Sequence, residues 1–537
     1  MAKNAQFWPR ADSGDQKLTD QLRRATWAVR NDWCISLAVL AIGAVLLGTR
    51  PLQDQDIFFH LAAGRAIVES GHLPAFDPFI FLLFDTPTIY PEWGFEVIFH
   101  GAERLAGLPA IFALVALVGG LTSVMLYRIA RRWSAPLVAL PIVVCAGAIL
   151  EWRSLPRPEI FLMLALVAGV WAAPIKGGED RRRWWWIVLI AWALAMCHPS
   201  VVLLLGVLGA LALEQALRTR SAYPLGVMAA AGVAACLTPY GIDQVLLPFR
   251  FMGDSALVDG LSEFKPALDT EYRYLFLAAV TACLGAILSA GRKTSWGMVL
   301  IFAVFTAAAY RHARLIPLLA IPVTVLLAIA WSAASGWRRP ALQGMLAIAV
   351  VLAVTTFAKG PRGIGLDARV LPEKAAARIA SLPAGSRIAN FFDFGGYFEW
   401  RLGSAYPLLV DGRNFDANRA LHLHDAVFRA DPGWEQFLAE NRINVVVTPP
   451  HMSVSGLPVP LFYLLLSDPD WIMSDAELAG VTFIRRATAP TLAPVPRAQA
   501  WQSALWILND ALKADPANGE AAAARDRVAA LLAAAGG

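Results

Sequence analysis

The chain reads as a multispanning α-helical membrane protein with an α/β domain and a helical pair beyond its last span. Three observations lead there. Of its 537 residues, 57% are hydrophobic and only 16% charged, and the mean hydropathy is +0.52. Apolar runs recur up to residue 358, with Lys and Arg gathered in alternate connections. Beyond Lys359 the composition shifts to short β-branched runs alternating with amphipathic stretches. Soluble domains carry about a quarter charged residues, so the bilayer is the main solvent of this sequence.

Residues 1–32 are polar, and Arg23, Arg24 and Arg30 stand just ahead of the first apolar run, Trp33–Gly48, which places the N-terminus in the cytoplasm. A polar loop without a small-residue cleavage pattern follows, so this run is expected to remain as an anchor. Further spans are expected at Pro109–Tyr127, Pro136–Leu150, Ile160–Ile175, Trp184–Cys197, Val201–Leu217, Leu225–Leu237, Tyr274–Ala290, Trp296–Ala309, Leu315–Trp331 and Leu342–Phe357, about eleven within residues 33–358. Several are shorter than the ~17 to 25 residues of a usual crossing. Connections assigned to the inside carry Arg131 and Arg132, Lys176 with Arg181 to Arg183, Arg218 and Arg220, Arg292 and Lys293, and Arg338 and Arg339. Trp184, Trp185 and Trp186 fit an interfacial anchor. An odd number of spans puts the tail on the outer side with the loop 50–108.

Residues 359–490 predict an α/β domain, with strands at Arg387–Phe392, Pro407–Val410, Val445–Val447 and Val481–Ile484 and helices at Ala417–Phe428 and Trp434–Glu440. Gly395 and Gly396 follow the first strand without a GxGxxG pattern, so a dinucleotide site is not supported. Residues 491–537 predict two amphipathic helices around Lys513–Glu520, spaced like one tetratricopeptide unit. Such arrays need about three repeats, so the pair is expected to pack on the domain or to meet a protein partner. The net charge of +5 is spread over short loops, not one basic face, which argues against nucleic-acid binding. The five cysteines lie within or at the ends of apolar runs and form no CxxC pair, so they read as packing residues.

Ionisable groups beside lipid are expensive unless paired or facing a wet cavity, and here they collect at the outer ends of the spans. The first loop offers Asp54, Asp56, His60, Asp77 and Glu92; later outer connections offer Glu151, Arg153 and Arg157, then His198, then Asp243, Arg250, Asp254, Asp259, Glu263 and Lys265, then Arg311, His312 and Arg314. On a helix starting at Asp56, its carboxylate and His60 share a face. Arginine forks suit phosphate oxygens, and a carboxylate suits removal of a hydroxyl proton or coordination of a divalent cation. The set fits a phosphorylated lipid donor and a hydroxyl acceptor, with Asp56 and then Asp54 as the catalytic candidates. His60, Glu92, Arg153, Arg157, His198, Glu263, Arg311, His312 and Arg314 are the candidates around substrate and phosphate. Plainer readings stand beside these: an acidic tripeptide after a span is commonly a solvated boundary, His198 beside Pro199 a kink-facing polar residue, and His312 between two arginines an interfacial group. His72, His100, His422, His424 and His451 show no ligand spacing.

At these residues the sequence resembles the GT-C superfamily of integral-membrane glycosyltransferases, in particular its uncharacterised bacterial members. The likeness rests on Asp54 and Asp56, His60-Leu61, Gly64, Gly71, Pro74, Asp77-Pro78-Phe79 and Glu92-Trp93 in the first loop. Further pieces are Arg157-Pro158, Thr238-Pro239-Tyr240-Gly241, Ser262-Glu263-Phe264, Arg311-His312-Ala313-Arg314, Gly395-Gly396-Tyr397 and Asp411-Gly412-Arg413, so it covers most of residues 33–490. Phe264 stands where related sequences carry tryptophan. The resemblance implies transfer of a sugar from a polyprenyl-phosphate carrier to an extracytoplasmic glycan, lipid or protein, with Asp56 as base or as ligand of a Mg or Mn ion. It implies a bacterial inner membrane, with the α/β domain in the periplasm. Two other classes share the same charges: a transporter or flippase for lipid-linked saccharides, against which the lack of a repeat between the two halves speaks, and a non-catalytic envelope-assembly scaffold.

Overall fold

A computed structural model describes residues 32–49, 51, 55–175, 181–251, 265–359, 363–367, 369–413, 417–453 and 455–535. In chain order its helices begin with α1 (Asp32–Gly48), α2 (Asp56–Ser70), α3 (Trp93–Ala106), α4 (Leu108–Ala130), α5 (Pro136–Glu151), α6 (Glu159–Ala172) and α7 (Trp185–Cys197). They continue with α8 (Val201–Thr219), α9 (Tyr223–Ala235), α10 (Ile242–Phe251), α11 (Arg273–Ala290), α12 (Trp296–Arg311), α13 (Ala320–Ala333) and α14 (Arg338–Lys359). Each run expected to span overlaps one of these helices, although Leu315–Trp331 begins in the 3₁₀ stretch Ala313–Leu319, and Ile160–Ile175 and Leu225–Leu237 run past their helices' ends. By themselves, five are long and apolar enough to cross a membrane: α4, α8, α14, and α11 and α13 with their flanking turns. The chain is a multi-pass membrane protein, built from these and from shorter apolar helices such as α1, α5, α6, α9 and α12. In the window of α13, 83% of residues are buried against 17% for α14, which makes α13 the bundle's axis and α14 its lipid-facing edge. The arginines expected at the N-terminus, Lys176, Asp54, Asp254, Asp259 and Glu263 lie outside the described residues.

The tail adds α15 (Glu373–Ile379), α16 (Gly395–Leu402), α17 (Ala417–Phe428), α18 (Trp434–Glu440) and α19 (Pro460–Ser467) around four strands. These are β1 (Arg387–Asn390), β2 (Ile443–Thr448), β3 (Trp471–Ala476) and β4 (Val481–Arg485), in the order β1-β2-β4-β3. The β1–β2 pair is parallel and the other two are antiparallel. Two expectations need correction. Pro407–Val410 is not a strand of the sheet, since Pro407 has no N–H for a ladder. Leu408 instead bridges Ile388 on one side and Ile80 of the first loop on the other, exchanging backbone hydrogen bonds with Phe79 and Phe81. The strand β3 went unpredicted because Trp471–Ala476 mixes Ser474 and Asp475 into the run and hides its alternation.

The first loop is not a solvated connection. Ile57, Phe58 and Leu61 of α2 and Phe95 and Phe99 of α3 share one apolar core with Ile111, Phe112 and Val115 of α4 below, and with Ile388, Phe398, Leu408 and Val445 of the α/β domain above. Each such side chain contributes roughly 1.5–3 kcal/mol on burial, so bundle, loop and domain are packed as one body. The terminal helices α20 (Arg497–Ala514) and α21 (Gly519–Ala535) pack on the domain: Trp501, Ala504, Leu508, Ala521 and Val528 lie in the same core as Phe462 and Phe483.

Candidate active site

The site is organised by α2. Asp56 opens that helix, where a carboxylate complements the positive end of the dipole, and Gln55 just before it anchors the entry by donating Nε2 to the Val370 carbonyl at 2.9 Å. The helix is held on two sides by glycines whose missing Cβ allows backbone contact. A Cβ at Gly64 would stand 2.2 Å from the Glu96 carbonyl oxygen, and one at Gly396 would stand 2.9 Å from the Phe59 nitrogen. Squeezed between α3 and α16, α2 presents Asp56, its side chain 34% exposed, to Arg157 at 2.9 Å.

Beside this pair, Glu159 at the start of α6 draws two further guanidiniums together: Arg153 at 2.9 Å and Arg314 at 3.0 Å. Arg314 reaches this point because His312 takes an extended backbone that ends α12, and the chain turns inward through the short 3₁₀ stretch Ala313–Leu319. Together the three arginines outnumber the carboxylates of Asp56 and Glu159. Arg153 and Arg314, with Glu159, line a cavity of about 100 Å³. Its polar lining is Thr122, Arg153, Ser154, Glu159, His198, Ser200 and Arg314, and the rest includes Leu47, Val115, Val118, Leu162, Met163, Leu203 and Leu318. The lining is thus mixed, charged and polar side chains together with a larger apolar share.

A second cluster lies alongside. His60 is one turn from Asp56, but it is buried and faces α3: Nδ1 stands 3.4 Å from Glu96 Oε1 and Nε2 stands 3.8 Å from Glu92 Oε2. His198 Nδ1 accepts the Ser200 N–H at 2.9 Å, which leaves its Nε2 toward Glu92 Oε1 at 3.8 Å. Burial holds His60 well below the usual imidazole range and His198 down to about 4. Burial, reinforced by Glu159 and Glu96, pushes Glu92 well above the carboxylate range, and burial pushes Glu96 up to about 8. At neutral pH the two imidazoles are uncharged, so they suit hydrogen bonding and not charge pairing with a phosphate.

The structure brings together Asp56, Arg153, Arg157, Arg314, His198, His60 and Glu92. Arg311 is exposed and His312 half-buried, and neither lines the cavity. Asp54 and Glu263 lie outside the described residues. Sequence reasoning passed over Glu159, because an acid in the first turn after Arg157-Pro158 reads as an ordinary helix start. It also passed over Glu96, which reads as a surface residue of an amphipathic helix. Among the described residues no three His, Cys, Asp or Glu side chains are grouped to hold a metal ion, and the Asp56 carboxylate is engaged by Arg157. The described residues alone therefore form no Mg or Mn site, and Asp54, the other acidic candidate, is not among them.

No known family profile matches the sequence, and no curated protein is detectably similar. Solved structures do share the fold. One is the archaeal oligosaccharyltransferase AglB from Archaeoglobus fulgidus in complex with an inhibitory peptide and a dolichol-phosphate: TM-score 0.52, 13% identity, covering 82% of this chain and 73% of that one. The apo form of the Archaeoglobus fulgidus oligosaccharyltransferase gives a TM-score of 0.51 at 13% identity, over 78% of this chain and 70% of that one. A third is ArnT from Cupriavidus metallidurans bound to undecaprenyl phosphate: TM-score 0.51, 13% identity, covering 88% of this chain and all of that one. This chain therefore shares the fold of these solved membrane proteins.

Proposed function

We propose that this chain is a GT-C-type glycosyltransferase that moves a sugar from a polyprenyl-phosphate carrier to a hydroxyl on the extracytoplasmic side of a bacterial inner membrane. The observation that carries this reading is a cavity lined mostly by apolar side chains and also by Arg153 and Arg314, with the Asp56–Arg157 pair held by the residues that lead into α6. A prenyl chain needs the first and a phosphate the second. Two of the similar structures were solved in complex with dolichol-phosphate and with undecaprenyl phosphate, which supports a ligand of this class here.

In the proposed reaction the carrier enters between the helices with its tail among Leu47, Val115 and Leu318 and its phosphate at the guanidiniums. The acceptor hydroxyl approaches the anomeric carbon from the face opposite the phosphate, and Asp56 takes its proton. The bond from the anomeric carbon to the acceptor oxygen forms as the bond to the phosphate oxygen breaks, so the configuration inverts. Arg153, Arg157 and Arg314 stabilise the charge that develops on the departing phosphate. The domain of residues 359–490 covers the mouth and holds the acceptor, while residues 491–537 buttress that domain. Loss of a general base lowers turnover by about 10²–10⁴-fold. Release of undecaprenyl phosphate from a sugar-loaded carrier by the purified protein, given an envelope extract as acceptor, is expected to fall by that factor in Asp56→Asn. Equal release by both proteins would show that Asp56 is not the base.

A further inference from the structure

Arg413, 6% exposed, sits where the α/β domain meets the first loop, ringed by carboxylates from three segments. Its guanidinium lies 3.0 Å from Asp77 Oδ2 and 2.8 Å from Glu399 Oε1, and its Nε donates to Asp411 Oδ2 at 2.6 Å. Its Nη1 donates to Tyr90 Oη at 3.5 Å. The other oxygen of Asp77 accepts the N–H groups of Phe79 and Ile80, each at 2.8 Å, and the Tyr90 N–H donates to Tyr240 Oη at 2.8 Å. One guanidinium therefore joins both arms of the first loop to α16 and to its own turn, 411–413. Three buried carboxylates face one cation, and burial holds Asp77 and Glu399 above the usual carboxylate range. Only a forked, permanently charged donor satisfies so many acceptors at once.

The residue before Arg413 touches the catalytic helix. A Cβ at Gly412 would stand 2.8 Å from Phe59 Cε1 and 3.1 Å from Asp56 Oδ1. The turn is thus a wall behind one oxygen of Asp56, while the other faces Arg157 at 2.9 Å. We infer that Arg413 is a positioning residue for Asp56: by fixing the turn 411–413 it holds that wall, so that the α/β domain completes the reaction centre in the membrane part. This rests on the transferase reading given above.

Two substitutions in the full-length protein test it. Arg413→Lys keeps the charge but not the fork; it is expected to lower kcat by about 10²-fold, as a misplacement near 1 Å does, at unchanged KM for the carrier. It is also expected to speed hydrogen exchange at the amides of residues 56–59 while α13 keeps its protection. Gly412→Ala leaves the ring intact and pushes directly on Asp56 and Phe59, so it is expected to reproduce the kcat loss, again at unchanged KM for the carrier. Unchanged exchange at residues 56–59 in Arg413→Lys, or a rise spread evenly over the domain, would overturn the inference, as would wild-type kcat in Gly412→Ala. Should the wild-type protein transfer no sugar, the proposed function falls, and the exchange measurement alone decides on the positioning role.

Discussion

Glu96 lies beneath His60 with its carboxyl pushed up to about 8 by burial, against an ordinary 4.5. Between those two values the folded chain keeps a proton that the unfolded chain has lost, so stability falls as pH rises through the window, by about 1.4 kcal/mol per pH unit for a single group. Glu96→Gln fixes the neutral form. The variant is expected to match the wild type near pH 4.5 and to exceed it in Tm above pH 8; parallel Tm curves for the two proteins would contradict this. Residues of this kind were hard to read from the sequence for a physical reason. Asp56 was legible because it follows a span and opens a helix, but Glu159 and Glu96 gain their character only from what tertiary packing places beside them: Arg153 and Arg314 for one, His60 for the other. Arg311 shows the converse, a basic residue at a span end that the extended backbone at His312 leaves outside the cavity.

At the scale of elements, the apolar runs were readable as helices because hydrophobicity alone defines them, and α17 and α18 were readable from their amphipathic period. Pro407–Val410 misled because a short apolar run bounded by polar residues carries no information about its partners; here they are Ile80 and Ile388, one from each side of the loop–domain boundary. The crossing of α2 and α3 depends on Gly64, where an added methyl would meet the Glu96 backbone. Gly64→Ala is therefore expected to destabilise by about 1–3 kcal/mol, the usual range for overpacking, and to lower sugar transfer by separating α2 from α3. The terminal pair makes an opposite forecast. Trp501 packs into the domain core far along the chain from Asp56, so Trp501→Ala is expected to cost about 3–5 kcal/mol of stability while leaving the KM for the carrier unchanged. A raised KM with an unaltered Tm would instead place α20 at a binding surface.

At the scale of the whole molecule, bundle, first loop and α/β domain form a single body because one apolar core runs through all three, and that body holds Arg153 and Arg314 at a cavity lined mostly by apolar side chains. Membrane class was visible in composition and in the recurrence of apolar runs; the interlock of loop and domain was not, because it is built from glycine contacts and a buried arginine with no periodic signature. The most direct test is binding of undecaprenyl phosphate to the detergent-solubilised protein, followed by native mass spectrometry or by the rise in Tm on titration. The wild type is expected to bind and be stabilised, and the Arg153→Met, Arg314→Met double variant to lose that stabilisation with its unliganded Tm still showing a folded protein. Equal stabilisation of both proteins would contradict the claim that the cavity receives the carrier's phosphate.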